Sequence, residues 1–282
     1  MKENPDAANQ AAHETSGKTA RASDREPIAV WDSGLGGLTV LLALRARLPN
    51  EDFVYFADTR HFPYGDKPED FLRARGRAVA AALWARGAKA LVVACNTATA
   101  AAVSDIRKET QKPVIALEPA LKPAVAASKT GVVGVLATPR TLESQRFSRL
   151  VADCAKNATV IACPCPGLAE VIEREGAQSA AAGVLLDRYL APLNAAGADA
   201  VALGCTHYPW ARKEIAARTP AGTIIVDSGE AVARQTEARL LRESHLGGRG
   251  RLIFAASDDA ERFARAVTRL LAFSCPAEVW PV

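Results

Sequence analysis

Gly87-Ala88-Lys89-Ala90-Leu91-Val92-Val93-Ala94-Cys95-Asn96-Thr97 and Gly197-Ala198-Asp199-Ala200-Val201-Ala202-Leu203-Gly204-Cys205-Thr206-His207 are two copies of one pattern. In each, a Gly-Ala pair closes a helical stretch, an apolar run reads as a buried strand, and a cysteine follows eight positions after the glycine (95 − 87 = 205 − 197). A thiol on a tight turn at the carboxyl end of a strand stands where open α/β sheets hold their ligands. Two such turns imply two related half-sites that offer two thiols to one substrate. That is the layout of a two-sided acid/base reaction.

Outward from these turns, strand-like runs alternate with helical patterns from Ile28 onward, which predicts parallel strands joined by helical crossovers and an α/β class. The strand expected over 28–31 ends in Asp32-Ser33, and the strand expected over 132–136 ends in Ala137-Thr138. Asp32 precedes the first cysteine by 63 positions (95 − 32) and Thr138 precedes the second by 67 (205 − 138), a similarity that supports an internal duplication. Pro113, Pro119 and Pro123 punctuate 114–124, a natural place for the chain to pass between domains. The expected architecture is two pseudo-symmetric α/β domains with mainly parallel sheets, the active site lying in the cleft between them. A disordered tail is expected over 1–26, a first domain over 27–118 plus 229–282, and a second over 119–228.

Composition narrows the function. The chain has 282 residues and a soluble globular make-up, and none of its apolar runs approaches the ~20 residues of a membrane-spanning helix. Met1 to Glu26 lacks the apolar core of a secretory signal, so a cytoplasmic location is expected. Six cysteines in a chain of this length read as free thiols rather than a disulfide scaffold. The formal charge of +4 includes no block of like charges, and specific nucleic-acid binding is not expected.

Each polar cluster has a plain reading beside a chemical one. Asp32-Ser33-Gly34-Leu35-Gly36-Gly37 lacks the third glycine of a dinucleotide fingerprint, because Thr39 stands there, and lacks the Gly-Lys-Ser/Thr ending of a P-loop. Gly36 and Gly37 then serve only a tight turn, while Asp32 can aim a carboxylate at a cationic group. Cys95 and Cys205 are either buried structural thiols or nucleophiles and bases whose acidity helix amides or a neighbouring imidazole can raise. His207 is either an ordinary helix-start residue or a group that relays the Cys205 proton. Tyr64-Gly65 is a plain turn or a pair of amides for a carboxylate. Glu173, on an amphipathic helix, reads alone as a solvated charge. Ala211 stands where a cysteine phosphatase needs Arg, and Cys163-Pro164-Cys165-Pro166 is too close-set for a standard zinc pair, so no metal is expected. A Cys-His hydrolase through His207 would leave the first cysteine turn unexplained.

Taken together, Asp32 to Gly37, Ala94-Cys95-Asn96-Thr97-Ala98, Leu203-Gly204-Cys205-Thr206-His207-Tyr208-Pro209, Pro63-Tyr64-Gly65, Glu118-Pro119-Ala120, Thr138 and Asp227-Ser228-Gly229-Glu230 fall in the order of the glutamate racemases, and the chain resembles that family over roughly 27–271. The resemblance implies a cofactor-independent isomerase that interconverts L- and D-glutamate for peptidoglycan synthesis, with Cys95 and Cys205 as the two bases. It implies substrate contacts at Asp32, Ser33, Tyr64, Gly65, Asn96, Thr97, Thr138, Thr206 and His207, no cofactor, no membrane, and room for a homodimer. The family's apolar segment before its glutamate is replaced here partly by Gly167 and Glu170, so the resemblance assigns no helper role to Glu173. Racemisation of aspartate or another amino acid, or a binding or regulatory role on the same fold, are the readings kept beside it.

Overall fold

The central strands over 53–57, 90–93 and 200–204 are short apolar runs buried at every position, because parallel sheets covered on both faces bury them, while the edge strands are partly exposed. The structure, a computed structural model, describes residues 26–243, 245–273 and 275–282; apart from Glu26, the tail expected to be disordered lies outside them. The strands are β1 (Ile28–Asp32), β2 (Phe53–Ala57), β3 (Ala90–Val93), β4 (Val114–Ala116), β5 (Val132–Ala137), β6 (Thr159–Pro164), β7 (Ala200–Gly204), β8 (Ile224–Val226), β9 (Leu252–Ala256) and β10 (Ala277–Val279). The α-helices are α1 (Leu38–Arg47), α2 (Glu69–Ala85), α3 (Asn96–Lys108), α4 (Leu121–Ala127), α5 (Pro139–Leu142), α6 (Gln145–Cys154), α7 (Leu168–Glu175), α8 (Ala180–Ala195), α9 (Arg212–Ala216), α10 (Gly229–Arg242) and α11 (Ala260–Leu271).

The strands assemble into two sheets, ordered β10-β9-β2-β1-β3-β4 and β6-β5-β7-β8, and every pairing is parallel. The second order repeats the first four strands of the chain with each number raised by four (2-1-3-4 against 6-5-7-8), the duplication expected from the sequence. Register refines it. Trp31 pairs with Val93 and Ala137 with Gly204, so that Ser33, rather than Asp32, is the counterpart of Thr138. Each sheet is sandwiched between two apolar layers: Leu38, Leu41, Leu44 and Phe53 on one face of the first and Trp31, Leu72, Val79 and Leu91 on the other, with Leu186, Leu190, Leu193 and Val201 opposite Leu121, Val133 and Val135 in the second.

Three local features shape the connections. The proline-punctuated stretch is structured, because Pro113 and Pro119 flank β4 and Pro123 sits inside the first turn of α4, where its missing N–H costs nothing. Two helices, α5 and α6, follow β5, separated where Ser144 turns to cap α6 by accepting a hydrogen bond from the Phe147 amide. The Cys205 turn leads into a 3-10 turn, Tyr208–Ala211, with Pro209 at its start, and only then into α9. Among the described residues no helix is long and apolar enough to cross a membrane.

Candidate active site

Both sheets reverse their winding at the first strand of their repeat, between β1 and β3 and between β5 and β7. Crevices at the carboxyl ends of strands open at such points, and both cysteines stand there. One cavity, enclosing about 450 Å³ including its mouth, is lined by Ser33, Tyr64, Gly65, Cys95, Asn96, Thr97, Thr138, Cys205, Thr206 and His207, together with Phe62, Asp66, Cys165 and Glu170. The two thiols therefore share a single void, and ten of the eleven residues singled out in the sequence border it.

Asp32 is the exception. It is fully buried behind the wall, its carboxylate accepting from the Ser33 amide at 2.8 Å, the Gly37 amide at 2.5 Å and the Thr206 hydroxyl at 3.4 Å. Its oxygens hold the turn together, and it is not among the residues lining the cavity. Asn96 borders the cavity and carries a buried Oδ1 without a hydrogen-bond partner.

The glycines of the first turn also change meaning. Gly34, Gly36 and Gly37 have no left-handed backbone. A Cβ on Gly34 would meet Glu173 Oε2 at 2.3 Å, and one on Gly36 would meet His207 Nδ1 at 2.4 Å and Thr206 Oγ1 at 2.6 Å. These positions admit side chains from the other half of the molecule. Across the same seam the Leu35 amide donates to Glu173 Oε2 at 2.8 Å, Thr39 Oγ1 donates to the Thr206 carbonyl at 3.2 Å, and Thr97 and Thr138 share a hydroxyl hydrogen bond of 3.0 Å.

The thiols have unlike surroundings. Cys95 caps α3, its sulfur 3.5 Å from the Ala98 amide and 3.9 Å from Ser33 Oγ. Burial, and then the carboxylate of Asp32, push its thiol well above the ordinary range; the helix amide that favours a thiolate is outweighed. Cys205 Sγ lies 3.9 Å from His207 Nδ1, while His207 Nε2 is 2.6 Å from Glu173 Oε2. Burial alone would lower the imidazole, but its contacts with Cys205 and Glu173 win and hold it well above its usual value. Cys95 thus faces the Asp32 carboxyl, which burial makes a weaker acid, and Cys205 faces the His207 imidazole.

Tyr64 is fixed from behind. Its hydroxyl donates to Asp58 Oδ2 at 2.6 Å, and Asp58 is held in a two-point grip by Arg75 at 2.7 and 2.8 Å. Although burial opposes ionisation, Arg75, Tyr64 and His61 bring Asp58 down to about 2. A depressed folded value stabilises the fold above the unfolded value near 3.9, and that contribution is lost as pH falls through about 2. Asp58→Asn leaves the buried Arg75 guanidinium without its counter-ion and is expected to cost about 3 kcal/mol in urea unfolding at neutral pH, with a flatter acid limb.

Glu173 is the residue that sequence reasoning missed. The departures between Cys163 and Glu173 withheld a role from it, yet α7 turns its carboxylate inward onto His207 and the Leu35 amide. The available signal was the glycine at position 34, too small for anything but a close neighbour. Asp58 and Arg75 were not singled out either.

The Asp/Glu/hydantoin racemase family matches residues 42–236. A glutamate racemase of Stutzerimonas stutzeri strain A1501 is 45% identical over 258 residues, covering 90% of this chain and 97% of that protein. Among solved structures, Escherichia coli glutamate racemase in complex with L-glutamate and the activator UDP-MurNAc-Ala is similar at a TM-score of 0.80 and 32% identity, covering 92% of this chain and 99% of the other. Glutamate racemase from Francisella tularensis in complex with D-glutamate is similar at a TM-score of 0.80 and 27% identity, covering 92% and 98%.

Proposed function

Since the chain belongs to the Asp/Glu/hydantoin racemase family and, within it, to the glutamate racemases, we propose that its racemisation of glutamate runs as a two-base proton circuit between Cys95 and Cys205. The observation that carries this reading is that both thiols line one narrow cavity. Inverting an α-carbon takes a proton from one face and delivers one to the other, and a single base would have to swing around the substrate. Opposed thiols remove that need. One is thiolate while the other is thiol, and the roles exchange with the direction of reaction.

In one direction of reaction Cys95, whose thiol burial and Asp32 hold up, is the acid, and Cys205, its sulfur 3.9 Å from His207 Nδ1, is the base. As the α-proton leaves, charge spreads into the substrate carboxylate, where the hydroxyls of Ser33, Thr97, Thr138 and Thr206 and the Gly65 amide can meet it. Asn96 Oδ1 accepts from the substrate ammonium, Tyr64 packs against the bound molecule, and Asp32 holds Ser33 and Thr206 in place. The circuit is complete with side chains alone. The hydrogen bonds across the seam describe a closed cleft whose halves part to admit substrate, and dryness strengthens each polar contact.

This reading includes a division into 27–118 plus 229–282 and 119–228, a cytoplasmic location and supply of D-glutamate for peptidoglycan, and it leaves room for a homodimer. The test is incubation of the purified chain with α-deuterated L-glutamate in water without added cofactor. D-glutamate should appear with loss of deuterium, and aspartate should turn over far more slowly. Absence of D-glutamate overturns the reading.

A further inference from the structure

Thr97 and Thr138 meet a third hydroxyl behind the cavity wall. Thr97 stands in the first turn of α3, Thr138 caps the start of α5, and Thr141 lies within α5. The three side-chain oxygens form a triangle, with 3.0 Å between Thr97 and Thr138, 2.9 Å between Thr138 and Thr141, and 3.5 Å between Thr97 and Thr141. One corner follows the first sheet and two follow the second, so the triangle closes with the seam. Thr97 and Thr138 line the cavity; Thr141, 2% exposed, does not. Among the described residues its hydroxyl has no partner besides the other two. The cap of α5 does not use it, because there the Thr138 oxygen accepts from the Thr141 amide at 3.3 Å.

We infer that Thr141 is a positioning residue for racemisation: its hydroxyl holds the triangle together from behind and so frees the protons of both Thr97 and Thr138 to point at a substrate carboxylate. This rests on the reading given above, in which those two hydroxyls meet the substrate.

The count of protons carries the argument. Each hydroxyl has one proton to give and can accept two. Closed on itself, the triangle spends its three protons internally, one along each side. When a carboxylate comes within reach, Thr97 and Thr138 each turn their proton towards it, and neither can then donate to the other. The Thr141 proton stays inside the triangle, facing both oxygens as a three-centre bond. It offsets the repulsion between them, and a hydroxyl that accepts while it donates makes a stronger outgoing bond.

Without the Thr141 hydroxyl, two buried oxygens 3.0 Å apart have only two protons to share. If one donates to the other, a single proton faces the substrate. If both turn outward, the oxygens confront each other with no proton between them. Either arrangement weakens the hold on the carboxylate by about one hydrogen bond, and the loss persists as charge spreads into that group.

The experiment measures kcat/KM for L- and D-glutamate on the full chain. Thr141→Val keeps the shape of the side chain and should lower kcat/KM by about tenfold in both directions. The limbs of its pH profile should stay in place, because no titrating group is touched. Thr141→Ser should restore most of the loss. In a Thr97→Val background only one cavity proton needs freeing, and there Thr141→Val should cost no more than about twofold. Urea unfolding shows whether each variant is folded under assay conditions, and if Thr141→Val is not, Thr141→Ala takes its place. Equal losses in the two backgrounds overturn the inference, as do a Thr141→Val variant with the parent's kcat/KM and a Thr141→Ser variant no better than Thr141→Val. Failure of both Thr141→Val and Thr141→Ala to fold overturns it too, since the hydroxyl then serves the fold. A parent chain that forms no D-glutamate removes the underlying reading as well, whereas any of the other results in an active parent removes the role of Thr141 alone.

Discussion

Cys95→Ser and Cys205→Ser will each lower kcat for racemisation by about 10²–10⁴, the span a positioned acid or base contributes. Serine keeps the shape of cysteine but is far too weak an acid to exist as an alkoxide near neutrality, so each substitution removes one wall of the circuit and spares the cavity. The two variants should also differ from each other. With one thiol left, a substrate whose α-proton faces that sulfur can still lose it and regain one from solvent on the same side. Each variant should then exchange the α-proton of one enantiomer without inverting it, and the two should prefer opposite enantiomers. Proton NMR in deuterated water, with L- and D-glutamate supplied separately, reads both effects. Full-rate racemisation by both variants would remove the mechanism.

The residues legible in the sequence were those whose signal is local. Cys95 and Cys205 follow apolar runs and stand in repeated surroundings, and Ser33 and Thr138 end the first strand of each repeat, so strand-turn logic alone places them at one edge of each sheet. Glu173 has no local mark. Its contact with the Leu35 amide spans 138 positions of sequence, and on a helix with a polar face nothing distinguishes a carboxylate turned inward from a solvated one. The glycines misled for a related reason. A tight turn and a close approach both call for glycine, and only the arrival of Glu173 and His207 from the other sheet decides between them. Spacing places Asp32-Ser33 at the strand's edge, and register then sets Ser33 beside Cys95 at the void with Asp32 buried behind it. Short β4 was hidden by the prolines that flank it.

Glu173→Gln offers the second large effect and separates charge from shape. Glutamine fills the same volume and can still touch His207 Nε2 and the Leu35 amide, so the seam should hold and KM should change little. The charge is lost, and with it one of the two contacts that keep the His207 imidazole raised against burial. The sign follows from that shift: a folded value above the unfolded one means that ionised His207 stabilises the fold fully below about 6.5, and this contribution disappears as pH rises through the folded value. Catalysis should track the same titration. In the parent chain the imidazolium persists through neutrality beside Cys205; in the variant it deprotonates at lower pH and leaves that sulfur without its cationic neighbour. The alkaline limb of kcat/KM should therefore move to lower pH, and kcat at neutral pH should drop by about tenfold. Glu173→Ala should lose more, because the Leu35 amide is then buried without an acceptor. A Glu173→Gln profile that coincides with the parent's would show that Glu173 serves the seam alone and is not a positioning residue for His207.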